Sequence, residues 1–324
     1  MCASRCGSWR CRRRDRGLCW SGTYDSGVAT KLSLGHTAEL RAALVNACAR
    51  MNLDADGAEL IQYSVNAVFR LVTAPVVVRV AAGAGGRTRG HRLVAAARWL
   101  ADHDAPVVRL LDGDQPVDIA GEFTFTFWHE LAIRQAWTAQ DLAQPLRTLH
   151  GLQPDPAMPE WDPFSIAQEW LAAADSAISA TDLEWLREQW EAAETNYRKW
   201  RPTMSIGIVH GDPHLGNLLA DGERAVLCDL DETGTGPILW DLVPQAVGAT
   251  RFAREPFYRQ FVDAYGIDIR DEPYWSVLQR IRELIMVSSV LPNLSHRPEV
   301  AAEQAHRFQS LRRGDTAATW HRYQ

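Results

Sequence analysis

The residues best suited to chemistry form two short polar clusters in the second half of the chain. The first cluster reads V-H-G-D-P-H-L-G-N-L-L and places the carboxylate of Asp212 five residues before the amide of Asn217. The second reads V-L-C-D-L-D and supplies Asp229, and Asp241 follows twelve residues later. Phosphoryl transfer needs a carboxylate that orients the attacking hydroxyl, and further Asn and Asp oxygens that hold magnesium. These residues at this spacing therefore predict phosphoryl transfer.

A hydrolytic metal cluster is the competing interpretation of the same residues. His210, Asp212, His214 and Asp229 are residue types that ligate transition metals, and an H-x-D-x-H pattern occurs in zinc hydrolases. That arrangement would leave Asn217 without a role and would give the N-terminal part of the chain no task. Phosphoryl transfer accounts for more of the sequence.

The pattern H-G-D-x-x-x-x-N, then a short hydrophobic strand ending in Asp, then a third Asp, resembles the aminoglycoside phosphotransferase family over most of the chain. The runs C-D-L-D and W-D-L-V-P are also similar to an uncharacterised actinobacterial branch of that family. The resemblance implies Asp212 as the catalytic residue and Asn217 and Asp229 as magnesium ligands. It further implies that Asp241 braces the catalytic loop and that His210 shapes it, by the logic of protein-kinase catalytic loops.

The resemblance implies a two-lobed, protein-kinase-like fold of the α+β class. A small, mostly antiparallel sheet would form the nucleotide-binding lobe, and a larger helical lobe would carry catalysis and the substrate. It also implies ATP and Mg²⁺ as cofactors and a hydroxylated small molecule as acceptor. The acceptor would be an aminoglycoside-like antibiotic or a metabolite, because the family also resembles choline, homoserine and sugar kinases.

In kinases of this shape, the turn between the first two strands covers the phosphates of ATP, and a cation on the third strand holds them. The matching residues are Ser64 and Asn66 in the turn and Arg79 in the run V-V-V-R-V. The segment F-W-H-E-L would join the lobes, with the backbone carbonyl of His129 and the backbone amide of Leu131 offered to adenine.

The predicted phosphate clamp departs from the usual pattern. The cation is Arg79 rather than lysine, and Leu93 stands at the helix position where a partner glutamate is expected. A non-catalytic nucleotide- or metabolite-binding pseudokinase is therefore the alternative function. The intact Asp212, Asn217 and Asp229 favour an active enzyme, because a chain freed from catalysis has no chemical reason to keep all three.

Acidic residues near the predicted site could favour a cationic acceptor. Asp231 and Glu232 follow the second polar cluster directly and are the predicted substrate contacts. Other acids on or between the helices that follow Asp241 are Asp263, Asp271, Glu272 and Glu283.

The elements expected to position these residues divide the chain into three parts. Residues 1–34 form an Arg/Cys-rich tail predicted to be disordered, because it shows no helical or strand periodicity. The nucleotide-binding lobe is predicted over residues 35–130. Its expected elements are a helix over 37–52, strands over 62–73 and 75–81, a mobile Gly-rich connector over 83–90, a helix over 89–103, and strands over 107–111 and 123–128.

The remaining residues, 131–324, are predicted to form the helical lobe. Amphipathic periodicity predicts its helices over 138–152, 163–174, 181–200, 240–249, 255–265, 274–290 and 298–312. Two short strands, over 206–209 and 225–228, lead into the two polar clusters.

Composition excludes several classes of protein. The formal net charge of −6 argues against a general nucleic-acid binder, and no apolar run reaches the length of about 20 residues that spans a bilayer. Four of the six cysteines lie in the first nineteen residues, so a disulfide framework is not expected. We expect a cytoplasmic protein without nucleic-acid or membrane partners.

Overall fold

The computed structural model describes residues 34–63, 66–134, 136–292 and 294–323. The predicted N-terminal tail lies outside these residues, except for its last position, and Ser64 also lies outside them. Cys48 and Cys228 are both buried, and neither forms a disulfide within the described part of the chain. None of the described helices is long and apolar enough to span a membrane.

An antiparallel sheet of five strands dominates the first part of the described chain, as the α+β prediction requires. The strands lie in the order β1-β2-β3-β5-β4. Helix α1 packs on this sheet through β4 and β5, and helix α2 packs on β3 and β5. The elements are α1 (Leu34–Arg50), β1 (Glu59–Tyr63), β2 (Ala67–Arg70), β3 (Val76–Ala82), α2 (Gly83–Asp102), β4 (Val117–Ile119) and β5 (Phe123–His129).

Strand β3 places Arg79 on the face of the sheet opposite to its valine neighbours. Val78 and Val80 belong to the buried cluster that includes Phe125 and Phe127 of β5. Because side chains alternate along a strand, Arg79 points away from that cluster. Its register partner on β5 is Thr126.

The Gly-rich segment at residues 83–90 is not a mobile connector, and that prediction is wrong. It forms the first turns of α2, immediately after β3. A Cβ atom at Gly90 would lie 2.6 Å from Cγ2 of Thr124 on β5. Glycine here allows the helix to approach the sheet closely, so the residue type that suggested mobility serves packing instead.

Two strand predictions also change. The run expected as a strand over 62–73 contains the end of β1 and the whole of β2, which pair in antiparallel fashion on either side of the turn predicted around Asn66. Residues 107–111 do not form a strand, because their backbone hydrogen bonds are divided between two elements. The amide of Val108 donates to Leu227 in the helical part, whereas the amide of Leu111 donates to Phe127 of β5.

The second part of the chain is mainly helical, and every predicted helix is present. The helices are α3 (Ala139–His150), α4 (Pro163–Ala172), α5 (Ala180–Trp200), α6 (Val243–Arg251), α7 (Glu255–Tyr265), α8 (Trp275–Ser288) and α9 (Pro298–Arg312). The predicted strands appear as β6 (Ile206–Val209) and β8 (Arg224–Leu227). Two unpredicted strands, β7 (Leu218–Asp221) and β9 (Gly234–Pro237), pair with them.

Two hydrophobic clusters form the core of the described residues. One lies between α1 and the five-stranded sheet. The other fills the helical part and includes Leu93 of α2, Val108 and Trp128. Because these three residues precede residue 131 in the chain, packing crosses the predicted boundary between the lobes. The division at residues 130 and 131 remains a prediction.

Candidate active site

Two small antiparallel ladders hold the polar clusters. The loop after β6 carries the first cluster, and β6 pairs with β9. The loop after β8 carries the second, and β8 pairs with β7. The two loops are tied together by a backbone hydrogen bond from Cys228 to the carbonyl of Asn217, at 2.9 Å. The folding of these ladders therefore brings together residues that are separated in sequence.

Asp241 is fully buried, and its carboxylate accepts hydrogen bonds from the backbone of the loop after β6. Its Oδ2 accepts a hydrogen bond from the backbone amide of His210 at 2.7 Å, and its Oδ1 accepts one from Gly211 at 2.9 Å. His150 on α3 also contacts Oδ2, at 2.9 Å through Nε2. The neighbouring Trp240 donates from its indole to the carbonyl of Gly211 at 2.6 Å. The side chains of Trp240 and Asp241 thus bind the carbonyl and the amide of Gly211, respectively.

Gly211 cannot be replaced without displacing the second loop. It adopts a φ of +95°, which side chains rarely permit, and an added Cβ would lie 2.6 Å from the carbonyl oxygen of Glu232. This close approach is the reason that the loop after β6 contains glycine between the histidine and the aspartate. The two polar loops touch at this point.

Both ring nitrogens of His210 contact the backbone of the two loops. Nε2 lies 2.9 Å from the carbonyl of Cys228, and Nδ1 accepts from the amide of Asp212 at 3.3 Å. His214 similarly accepts a hydrogen bond from Gly216 through Nδ1. Within the described ranges, no group of three or more His, Cys, Asp or Glu residues could hold a metal ion. The hydrolytic metal cluster therefore gains no support, and His210 lies where a loop-shaping residue would lie.

Asp212 is buried and forms an ion pair that the sequence did not suggest. Its Oδ1 lies 2.8 Å from Nη2 of Arg282, which projects from α8, and both side chains are less than a tenth exposed. Burial tends to raise the pKa of Asp212, but the charges of Arg282 and His214 lower it below the ordinary value. Asp212 is therefore held as a carboxylate.

Arg282 could have been suspected from its position on α8. It lies four residues after Leu278 and three before Ile285, on a helix face that is otherwise apolar. A cation on a buried face requires a partner. The sequence does not reveal that this partner is Asp212, because the two residues are far apart along the chain.

Asn217 offers a side-chain oxygen of the kind that a magnesium ion requires. Its Nδ2 donates to the backbone carbonyl of Asp212 at 3.0 Å. Its Oδ1 is buried and has no hydrogen-bond partner among the described residues. A buried polar atom without a partner is costly, and amide and carboxylate oxygens are preferred ligands of Mg²⁺. The residues present therefore fit a magnesium ion.

Asp229 supplies the second candidate ligand, at the end of β8. Its backbone has a φ of +63°, a conformation that is uncommon for a residue with a side chain. Burial raises the pKa of Asp229 to about 6, with a further contribution from the charge of Asp231, although Arg79 opposes the shift. A carboxylate that is destabilised in this way gains from a neighbouring cation, which agrees with a metal-binding role.

Arg79 lies beside the loop after β8 and is paired with acidic residues of that loop. Its guanidinium forms a two-pronged ion pair with Asp231, and Nη1 lies 2.5 Å from Oδ1. Its Nη2 also lies 3.8 Å from Oδ1 of Asp229. Arg79 lines a cavity together with Asn66, Leu93 and Asp231. The structure thus brings Arg79 and Asn66 to one cavity, and it places Asp231 against Arg79.

The segment between the sheet and α3 lies where the adenine contacts are predicted. The amide of His129 donates to the carbonyl of Arg109, and the amide of Glu130 donates to Pro75. Trp128 is buried and donates from its indole to Thr126 at 2.9 Å. These bonds fix the backbone at the end of β5. The assignment of the His129 carbonyl and the Leu131 amide to adenine remains a prediction.

The acidic residues predicted near the acceptor have different environments. Burial raises the pKa of Glu232 to about 8, and the charges of Asp231, Asp212 and Asp229 add to the shift. Glu283 is buried in an ion pair, with its Oε1 only 2.7 Å from Nε of Arg251. Glu283 is therefore occupied in joining α8 to α6.

The chain is similar to several solved kinase structures. A choline/ethanolamine kinase family protein from Mesorhizobium loti has a TM-score of 0.58 and 20% identity, over 86% of this chain and 94% of that one. Aminoglycoside phosphotransferase APH(3'')-Id from Streptomyces rimosus has a TM-score of 0.56 and 22% identity, over 76% and 98%. Amicoumacin kinase hAmiN, solved with AMP-PNP, Ca²⁺ and Ami, has a TM-score of 0.59 and 13% identity, over 82% and 90%.

These similarities confirm the protein-kinase-like fold predicted from the sequence. Among curated proteins, no sequence matches the chain significantly. A sequence model of the phosphotransferase enzyme family, in contrast, matches residues 62–281, which is more than half of the chain. That range contains β2 to β9 and the first half of α8, so it includes both polar loops and Arg79. The chain belongs to the phosphotransferase enzyme family.

Proposed function

We propose that the protein uses ATP and Mg²⁺ to transfer the γ-phosphoryl group to a hydroxyl of a small molecule, either an aminoglycoside-like antibiotic or a metabolite. The observation that carries this proposal is the linkage of Asp212, Asn217 and Asp229. The side chain of Asn217 holds the backbone of Asp212, and the backbone of Asn217 holds the loop that contains Asp229. A general base and two metal-ligand candidates therefore share one rigid arrangement.

Asp212 would orient the acceptor hydroxyl and take its proton. As the new oxygen–phosphorus bond forms, the bond between the γ-phosphorus and its bridging oxygen breaks, and ADP leaves. The ion pair with Arg282 supports this role, because it keeps the carboxylate ionised and restricts its orientation. A positioned general base of this kind contributes roughly 10² to 10⁴ in rate.

The side-chain oxygens of Asn217 and Asp229 would hold Mg²⁺, which when bound neutralises the negative charge of the phosphates. Arg79 would bind the phosphates from the sheet side, with Asn66 at the same cavity. The carbonyl of His129 and the amide of Leu131 would bind adenine. The related amicoumacin kinase, which was solved with AMP-PNP, supports the use of a nucleotide.

The acceptor site would lie beside Asp212, between the loop after β8 and helix α8. Of the predicted acceptor contacts, Asp231 is engaged by Arg79, and Glu232 has a raised pKa of about 8. The carboxylate of Asp231 is therefore already paired with a cation.

The environment of Arg79 bears on the pseudokinase alternative. That alternative was motivated by an arginine without a partner glutamate, and Arg79 has a carboxylate partner in Asp231. The pairing of Arg79 with Asp231 therefore weakens the argument for a pseudokinase and favours an active enzyme.

The proposal is tested by nucleotide turnover with a library of aminoglycosides, macrolides, amino alcohols and sugars. We expect at least one acceptor to stimulate ADP release in the presence of Mg²⁺, and mass spectrometry to find that acceptor phosphorylated. Asp212→Asn should lose this activity. The matched control is Asp221→Asn, an exposed position at the end of β7, which should retain it. Equal turnover by Asp212→Asn and the parent protein would refute the proposal.

A further inference from the structure

Arg79 connects the five-stranded sheet to the loop after β8. Its Nη1 donates to Oδ1 of Asp231 at 2.5 Å, and its Nη2 donates to Oδ2 of the same carboxylate. The Arg79 side chain is 13% exposed and that of Asp231 is 29% exposed. The two residues are 152 positions apart in sequence. The pair therefore joins two distant elements through a two-pronged contact, in which the arginine side chain is more deeply buried than the carboxylate.

A cation that holds phosphates must itself be held. A long arginine side chain loses rotamer entropy when it is fixed, and fixing it in advance reduces the free energy that nucleotide binding must supply. In protein kinases a glutamate on the helix after the third strand fixes the strand cation. Helix α2 occupies that place here, and its acidic residue is Asp102, at its far end.

The residues of α2 that line the cavity with Arg79 are Arg89, Gly90 and Leu93, and none of them is acidic. Leu93 of α2 lines the same cavity as Arg79 and Asp231, and it is buried at 5% exposure. The carboxylate that faces Arg79 across this cavity comes from the loop after β8 instead. The cation on the third strand is therefore still paired with a carboxylate, but that carboxylate is provided by the loop after β8 rather than by the helix.

We propose that Asp231 is a positioning residue of the nucleotide site, which holds Arg79 in place for the phosphates as a helix glutamate does in protein kinases. This inference rests on the proposed function. The geometry accounts for arginine at this position, because a planar guanidinium can give two parallel N–H groups to Asp231 and still has three for phosphate oxygens. Because Asp231 lies two residues after Asp229, one loop then places both the cation and a metal ligand.

The first test measures the binding of a non-hydrolysable ATP analogue with Mg²⁺ by calorimetry. We expect Asp231→Asn to weaken binding about tenfold, which corresponds to about 1.4 kcal/mol. The KM for ATP should rise more than kcat falls, and Asp231→Glu should recover part of the loss. Asp221→Asn serves as the exposed control. Unchanged or tighter binding by Asp231→Asn would overturn the inference, because Asp231 would then compete with nucleotide for Arg79.

A double-mutant cycle separates positioning from a general structural effect. Arg79→Ala alone should weaken analogue binding, and the addition of Asp231→Asn should cause no further loss, because Asp231 acts through Arg79. Additive losses would contradict the inference. If the parent protein fails to bind the analogue, the proposed function fails, whereas normal parental binding with an unaffected Asp231→Asn refutes this inference alone.

A transplanted carboxylate gives a second, independent result. In the Asp231→Asn background, Leu93→Glu returns an acid to the helix beside Arg79 and should recover several-fold in analogue affinity, whereas Leu93→Gln should not. A folded Leu93→Glu variant that binds no better than its glutamine counterpart counts against the inference. Because Leu93 is buried, thermal unfolding is measured first, and an unfolded variant leaves the decision to the double-mutant cycle.

Discussion

The ion pair between Asp212 and Arg282 makes Asp212→Asn a test of both mechanism and stability. The substitution keeps the shape of the side chain but removes the charge that Arg282 contacts at 2.8 Å. Loss of the proposed general base should lower kcat by roughly 10² to 10⁴. Binding of nucleotide and Mg²⁺ should change by at most a few fold, because their contacts are assigned to other residues.

The same substitution should also destabilise the protein. Removing one partner of a buried ion pair costs about 3 kcal/mol, at the lower end of the range for such pairs. With an unfolding entropy of about 2.1 cal/mol/K per residue, this corresponds to a fall in Tm of about 4 °C. The double variant Asp212→Asn with Arg282→Met should recover part of this stability, because neither charge is then buried alone. It should not recover turnover.

Thermal unfolding, calorimetry with the ATP analogue and a coupled assay measure the three quantities separately. If the double variant regained both stability and turnover, Asp212 would be a structural residue and the catalytic assignment would be wrong. If Asp212→Asn kept near-normal turnover, the mechanism would be eliminated. An unchanged Tm in Asp212→Asn would refute the claim that the ion pair between Asp212 and Arg282 stabilises the folded protein.

Three further predictions concern other parts of the molecule. Arg79→Ala should mainly raise the KM for nucleotide, whereas Asp229→Asn should abolish turnover even at saturating nucleotide. Initial rates over a range of ATP and Mg²⁺ concentrations distinguish the two effects. A nucleotide affinity in Arg79→Ala equal to that of the parent protein would refute the role of Arg79 in binding the phosphates. Asp241→Asn should leave one of the two backbone amides of the loop facing a donor instead of an acceptor, which should cost about 1–3 kcal/mol and reduce turnover. A variant with parental Tm and rate would contradict the bracing role. Burial tends to raise the pKa of Asp268, but hydrogen bonds from Arg270 lower it to about 2, so Asp268→Asn should cost about 2 kcal/mol at pH 7. Because the folded-state pKa is depressed, that difference should disappear as the pH falls from about 4 to 2 in urea titrations, and a difference independent of pH would exclude the ionic explanation.

The parts of the fold that the sequence predicted are those with strong local signals. The amphipathic helices of the second part follow from periodicity, and the helix α7 has bounds identical to those predicted. The Gly-rich start of α2 was misread because glycine indicates flexibility in isolation, whereas Gly90 is required by the proximity of Thr124. Residues 107–111 were misread because an extended segment shared by two elements has the same composition as a strand.

The candidate site shows the same division. Asp212, Asn217 and Asp229 lie in two continuous motifs, so their types and spacing were sufficient to select them. The ion pairs that surround them join distant elements, and a single sequence carries no signal for such pairing. Arg282 and the partner of Arg79 were consequently found only in the folded structure.

The central claim is tested most directly by following the γ-phosphoryl group itself. ATP labelled at the γ-phosphate is incubated with Mg²⁺, the parent protein and an acceptor identified from the library, and the label is then located. We predict that the label appears on a hydroxyl of the acceptor with the parent protein and with Asp221→Asn, and that this product is lost with Asp212→Asn. Label found only as free inorganic phosphate, or an equal yield of labelled acceptor with Asp212→Asn, would contradict the account.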